Sequence, residues 1–141
     1  KDGLKKMSKS DISDLSRINL SDDKDQIISK IKKAKTDALQ MPTQIEELNQ
    51  RPEVKNLLGI YSSLLGSTID KTIKDYAGKN FSLFKENLAE VIVEKIGPIS
   101  KEIKILLNDK KYLDEILNEG FKKADKIARE KMKKIHEIVG F

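Results

Sequence analysis

The chain has 141 residues and a mass of 16.0 kDa, which is the size of a single domain. Hydrophobic residues make up 38% and charged residues 36%, a balance too apolar for a disordered chain and too charged for a membrane span. The lack of cysteine excludes disulfides and thiolate metal sites, and the single histidine, His136, cannot form a multi-histidine site. The net charge of +5 permits a polyanionic partner.

The start of the chain predicts a polar loop. It reads Lys-Asp-Gly-Leu, without an initiator methionine or an apolar signal-peptide core, so we expect part of a longer protein. Residues 1–20 are rich in serine and aspartate, whose side chains compete for backbone hydrogen bonds, and they show no helical periodicity. Residues 17–20 alternate weakly, which indicates a short extended piece.

The next segment predicts a helix and then a connector. Residues 21–25 offer N-cap and acidic first-turn side chains, and lysines crowd residues 30–35, as the helix dipole favours. An apolar stripe in between predicts a helix over 23–35. Residues 37–51 predict a connector with at most one helical turn, at 45–48.

Two shorter helices follow. Pro52 stands where a first helical residue is expected, and an apolar face continues from there until Gly66. Residues 68–76 form a second amphipathic pattern, which Gly78 ends.

Two long helical patterns complete the chain. Residues 82–107 form one apolar stripe, and Gly97-Pro98 predicts a bend in it rather than two independent helices. The strand-forming residues 91–93 lie within that stripe, which should override their preference. Asp109 caps a last helix that ends at Gly140. The predicted fold class is therefore all-α, a bundle of about five helices preceded by a polar loop.

One short segment of the loop has a clear chemistry. Its residues are Lys6, Met7, Ser8, Lys9 and Ser10. Two lysines three residues apart can converge on one triphosphate, while the serine hydroxyls and loop amides bond the oxygens between them. Phosphoryl chemistry requires such charge neutralisation and positioning rather than a proton-transfer residue. Taken alone, the five residues fit a solvated loop equally well.

The order of motifs along the chain adds a resemblance. Residues 6–10 resemble the KMSKS signature of class I aminoacyl-tRNA synthetases, and the sequence after them is similar to the tryptophan-specific branch. The matching positions are residue 11 and the stretches 16–20, 22–23, 30–37, 51–61, 76–79, 84–85, 112–120 and 137–141. Ile12 stands where members of this family often have proline. The tyrosine-specific branch shares the loop motif but matches the helical region less well.

This resemblance implies a domain organisation and an activity. Residues 1–20 would be the KMSKS loop and the end of a Rossmann-type catalytic domain, and residues 21–141 the helical anticodon-binding domain. Such a ligase is a homodimer that activates tryptophan with ATP and Mg²⁺ and transfers it to tRNA(Trp). We expect the tryptophan pocket in the part of the ligase that precedes these residues, and no activity from this chain alone. The expected location is the bacterial cytoplasm, with an organellar matrix as the alternative, and no membrane is involved.

The resemblance also implies roles for the loop residues. Lys6 and Lys9 would be catalytic, binding the β- and γ-phosphates of ATP. Met7, Ser8 and Ser10 would complete the ATP site, with Met7 packing near the adenine.

A basic stretch near the end of the chain is the candidate tRNA-binding surface. Seven lysine or arginine residues lie between Phe121 and His136, against two acidic ones. Phosphate contacts of tRNA would fall to four of them: Lys122, Lys126, Arg129 and Lys133. A solvated outer face explains the same lysines, and the lysines of residues 30–35 are equally ambiguous. The aromatic residues Tyr61, Phe84 and Phe121 lie on apolar stripes and are predicted to pack in the core.

Two other readings stay open. The chain could be a free-standing helical RNA-binding module without catalytic activity, or a structural bundle whose basic face binds nothing. The aspartates at residues 22, 23 and 25 are more typical of a helix start than of a metal site, so no protein-bound metal is predicted.

Overall fold

The computed structural model describes residues 3–4 and 7–140, and in this part of the chain the regular structure is entirely helical. The five α-helices are α1 (Lys24–Lys32), α2 (Pro52–Leu65), α3 (Ile69–Tyr76), α4 (Phe81–Asn108) and α5 (Lys110–Val139). Short 3-10 helices at Asp14–Ser16 and Ile45–Gln50 precede α1 and α2. The predicted all-α fold class is confirmed.

Helix α1 begins as predicted and ends early. The Asp23 carboxylate accepts from the Gln26 amide at 2.9 Å, and the Gln26 side chain accepts from the Asp23 amide at 2.8 Å, a reciprocal cap. The helix was predicted to reach residue 35, but it ends at Lys32. Beyond it, the Ala34 carbonyl accepts at 2.7 Å from the ammonium of Lys85 on α4. A tertiary contact therefore replaces the last turn.

Helices α2 and α3 follow the predicted start and stop signals. Pro52 is the first residue of α2, and Gly66 ends it in the left-handed conformation with φ of 62°. The Thr68 hydroxyl accepts from the Lys71 amide at 3.3 Å and caps α3. Gly78, with φ of 67°, turns the chain toward α4.

The two long helices are continuous. Helix α4 passes through Pro98 without a break and includes residues 91–93, so the expectation of one helix is confirmed. The bend at Gly97 stays a prediction. The Asp109 carboxylate accepts from the Tyr112 amide at 3.0 Å at the start of α5. Gly140, with φ of 86°, lies at its end.

Two compact units divide the chain, residues Lys1–Lys101 and Glu102–Phe141. The first has a hydrophobic core in which Leu58, Phe84 and Leu88 have no exposed surface. Every residue of α5, in the second unit, is described and none is buried. The prediction that Phe121 packs in a core is wrong, because its side chain is 62% exposed. The domain boundary after residue 20 stays a prediction.

The core of the first unit contains satisfied polar groups. The hydroxyls of Tyr61 and Tyr76 lie 2.9 Å apart, and the Asn87 amide donates to the Tyr76 hydroxyl at 2.7 Å. The rings of Tyr61 and Tyr76 also pack against Phe84, with centroids 5.5 and 5.1 Å from it. These three helices, α2, α3 and α4, are thereby joined by one aromatic cluster.

Candidate phosphate-binding loop and basic helix face

The candidate phosphate-binding residues lie on an exposed turn. The side chains of Met7 through Ser10 are exposed, and the hydroxyls of Ser8 and Ser10 are 3.1 Å apart. The Asp11 amide donates to the Ser8 carbonyl at 3.4 Å, which closes the turn around Lys9. Lys6 lies outside the described residues. Lys9 and both serines are thus brought together where a ligand can reach them.

An arginine lies beneath this turn. Arg17 Nη1 donates to the Ser8 carbonyl at 3.2 Å and to the Asp11 carbonyl at 3.4 Å. Its Nη2 is 3.0 Å from Asp14 Oδ1, and the side chain is 19% exposed. One planar guanidinium therefore holds the two ends of the turn and an acidic side chain at the same time.

The acidic partner, Asp14, belongs to a partly buried cluster of ion pairs. Asp14 Oδ2 pairs with the ammonium of Lys30, which also lies 2.6 Å from Asp22 Oδ2. The Asn19 amide nitrogen donates to Asp14 at 3.0 Å and to Asp22 at 3.3 Å. We call Asp14, Arg17, Asn19, Asp22 and Lys30 the Arg17 cluster. Its two cations and two anions balance, and it connects the turn to α1.

Contacts within the cluster favour the charged forms of Asp14 and Lys30. Hydrogen bonds from Lys30 and then Asn19 lower the pKa of Asp14 below its usual value. Burial acts to lower the pKa of Lys30, but its hydrogen bonds to Asp14 and Asp22 outweigh burial, so that pKa is raised. Lys30 is 8% exposed and engaged with two carboxylates, so it is not available to an RNA phosphate.

The four candidate tRNA contacts share one face of α5. Their spacing of four, three and four residues places them on one side of the helix, and all are exposed: Lys122, Lys126, Arg129 and Lys133. Arg129 Nε lies 2.6 Å from Asp125 Oδ2, one turn earlier. Helix α5 therefore presents a row of exposed basic side chains along one face.

Sequence reasoning missed the Arg17 cluster. Arg17 and Ser8 are nine residues apart, and Lys30 and Asp14 are sixteen apart, so no local pattern joins them. The local signals are confined to two pairs of residues three positions apart, Asp14 with Arg17 and Asn19 with Asp22.

Within residues 3–4 and 7–140, no group of three histidine, aspartate or glutamate side chains is arranged to hold a metal ion. None of the helices described there combines the length and apolar character that crossing a bilayer requires.

Comparisons with known proteins agree on one family. Residues 1–96 match the family described as tRNA synthetases class I (W and Y). A tryptophan–tRNA ligase of Agrobacterium fabrum is 48% identical over 100% of this chain and 40% of its own length. Those of Mesorhizobium japonicum and Rickettsia felis are 46% and 51% identical, over 99% and 100% of this chain and 39% and 42% of theirs. The chain thus spans about two fifths of the curated relatives it matches.

Proposed function

The chain belongs to the class I tRNA synthetases for tryptophan and tyrosine, and from this premise we propose that it is the carboxyl-terminal part of a tryptophan–tRNA ligase. The supporting observation is the identity of 45% to 51%, along essentially all of this chain, to ligases named for tryptophan. The ligase would act as a homodimer in the bacterial cytoplasm. It would activate tryptophan with ATP and Mg²⁺, release pyrophosphate, and pass the acyl group to tRNA(Trp).

In this reaction the exposed turn would bind the phosphates of ATP. The Lys9 ammonium would pair with the β- and γ-phosphates and gain strength as negative charge moves onto the leaving pyrophosphate. Lys6 would supply a second ammonium, and the hydroxyls of Ser8 and Ser10 would donate to phosphate oxygens. Met7, which is 53% exposed, is available to pack against the adenine. No proton-transfer residue is required in this loop.

The loop role is tested by removing one ammonium in the full-length ligase. We expect Lys9→Ala to slow tryptophan-dependent pyrophosphate exchange by about 100-fold or more, as for loss of one donor to a transition-state anion. Lys95→Ala is the matched control, because Lys95 is an exposed lysine on α4 that forms an ion pair with its exposed neighbour Glu94. Full activity of Lys9→Ala would exclude the proposed role of this lysine.

Two comparisons in the same assay test the rest of the assignment. Tyrosine in place of tryptophan should give no exchange by the wild-type ligase. The 141-residue chain alone should also give none, because the proposed tryptophan pocket lies in the remaining part of the ligase. No exchange by the full-length protein would favour the helical RNA-binding module instead.

We propose that the basic face of α5 contacts tRNA phosphates. Filter binding of tRNA(Trp) at several salt concentrations should give a steep negative slope of log affinity against log salt. Loss of one phosphate contact, as in Lys126→Ala, should reduce that slope by about 1, while Lys95→Ala should leave it unchanged. Binding that is insensitive to salt would support a face that contacts no RNA.

A further inference from the structure

We propose that Arg17 is a positioning residue for the phosphate-binding turn, and that its ion pair with Asp14, supported by the buried Lys30–Asp22 pair, holds its guanidinium in place. This inference rests on the proposed function, since the turn acts only if it binds ATP. It adds a residue outside the five-residue signature to the machinery of activation.

The first step of the argument is the geometry of the turn. The peptide unit is planar, so the direction of a carbonyl fixes the direction of the next residue's amide. By binding the Ser8 carbonyl, Arg17 sets the orientation of the Lys9 amide. By binding the Asp11 carbonyl, it fixes the other end of the same turn. The backbone that carries Lys9 and Ser10 is therefore held at both ends by one rigid group.

The second step concerns why the group is an arginine. Nη1 serves two carbonyls while Nη2 pairs with the Asp14 carboxylate, so the guanidinium must remain in one plane to make all three contacts. A lysine ammonium is a single point charge and cannot hold two carbonyls and a carboxylate in that arrangement. Because these contacts are all to the protein, Arg17 acts through the turn and not on the phosphates.

The third step concerns what holds Arg17. Asp14 is fixed from its other oxygen by Lys30, and Lys30 is fixed by Asp22, which is 4% exposed. Hydrogen bonds from Lys30 and Asn19 lower the pKa of Asp14, so its carboxylate keeps its charge toward Arg17 to a lower pH than a free aspartate would. The support of the turn thus leads from the partly exposed Asp14 to the buried Lys30–Asp22 pair, where side chains have little freedom.

The experiment uses the full-length ligase and compares the kinetic constants for ATP with those for tryptophan. We expect Arg17→Lys to lower kcat/KM for ATP in pyrophosphate exchange by between about 10- and 100-fold, the size of effect that a small misplacement of a catalytic group produces. KM for tryptophan should not change. Asp14→Asn should act in the same direction but less strongly. The double variant should be no worse than Arg17→Lys, because Asp14 acts through Arg17.

Each outcome bears on a different claim. If Lys9→Ala is impaired while both Arg17→Lys and Asp14→Asn have normal ATP kinetics, the positioning role is wrong and the proposed function stands. If the wild-type ligase shows no tryptophan-dependent exchange, the proposed function itself is wrong. A fall in kcat alone that tracks the folded fraction in thermal melts would show a purely structural role and overturn the inference. If Arg17→Lys does not fold, the ATP kinetics of Asp14→Asn alone test the positioning role. Asp14 is only partly buried, so we expect this variant to fold.

Discussion

Removing the ammonium of Lys30 should destabilise the first unit measurably. Lys30→Met keeps most of the length and the apolar stem of the side chain but leaves the Asp22 carboxylate buried without a cation. Breaking a buried pair in this way costs about 3 to 5 kcal/mol in the free energy of unfolding. We expect the lower end, about 3 kcal/mol, because Asp22 still accepts from the backbone and side chain of Asn19 at 2.9 and 3.3 Å.

Hydrogen exchange of the α1 amides in the full-length protein measures this change. A loss of about 3 kcal/mol corresponds to exchange about 100-fold faster. Asp22→Asn combined with Lys30→Met removes both buried charges, so the double variant should recover most of the loss. Wild-type exchange rates in Lys30→Met, or a double variant less stable than the single one, would refute the reasoning.

Three further predictions concern the same unit. Tyr76→Phe should cost more stability than Tyr61→Phe, by about 1 to 2 kcal/mol, because it leaves both the Tyr61 hydroxyl and the Asn87 amide without their partner; chemical denaturation of the two variants compares them. Burial and then the Tyr76 hydroxyl raise the pKa of Tyr61 to about 12. The free energy of unfolding should therefore fall as pH rises from about 10 to about 12, and the tyrosinate absorbance of Tyr61 should appear only near the upper end of that range. Gly3→Ala should make the first segment more susceptible to proteolysis, because a Cβ there would lie 2.6 Å from the backbone at the start of α2. Gly59→Ala has open space around the new methyl group and should stabilise α2 by about 0.5 to 1 kcal/mol.

The helix boundaries could be predicted where a local signal causes them. Pro52 and Asp109 each act on the backbone within three residues, and α2 and α5 start where these side chains indicated. The end of α1 could not be predicted in this way. It depends on an ammonium supplied by Lys85, 51 residues further along the chain than Ala34.

In the candidate site, too, only the residues that form a local pattern could be predicted from the sequence. The signature residues could be selected from the sequence because two lysines and two serines within five positions already define a chemistry. Their support could not, since Arg17 and Lys30 read as ordinary basic residues in a lysine-rich chain. Only the fold reveals that Lys30 is buried between carboxylates and therefore differs from the exposed Lys32 and Lys33 next to it.

The contact between Lys85 and the end of α1 has a consequence for synthesis of the protein. The ammonium of Lys85 reaches the Ala34 carbonyl at 2.7 Å and the Lys32 carbonyl at 3.5 Å. While the ribosome is still making the segment between them, these carbonyls lack the ammonium of Lys85. The end of α1 therefore cannot be fixed in this way until translation has delivered α4, so this unit completes its packing only after its last helix has been made.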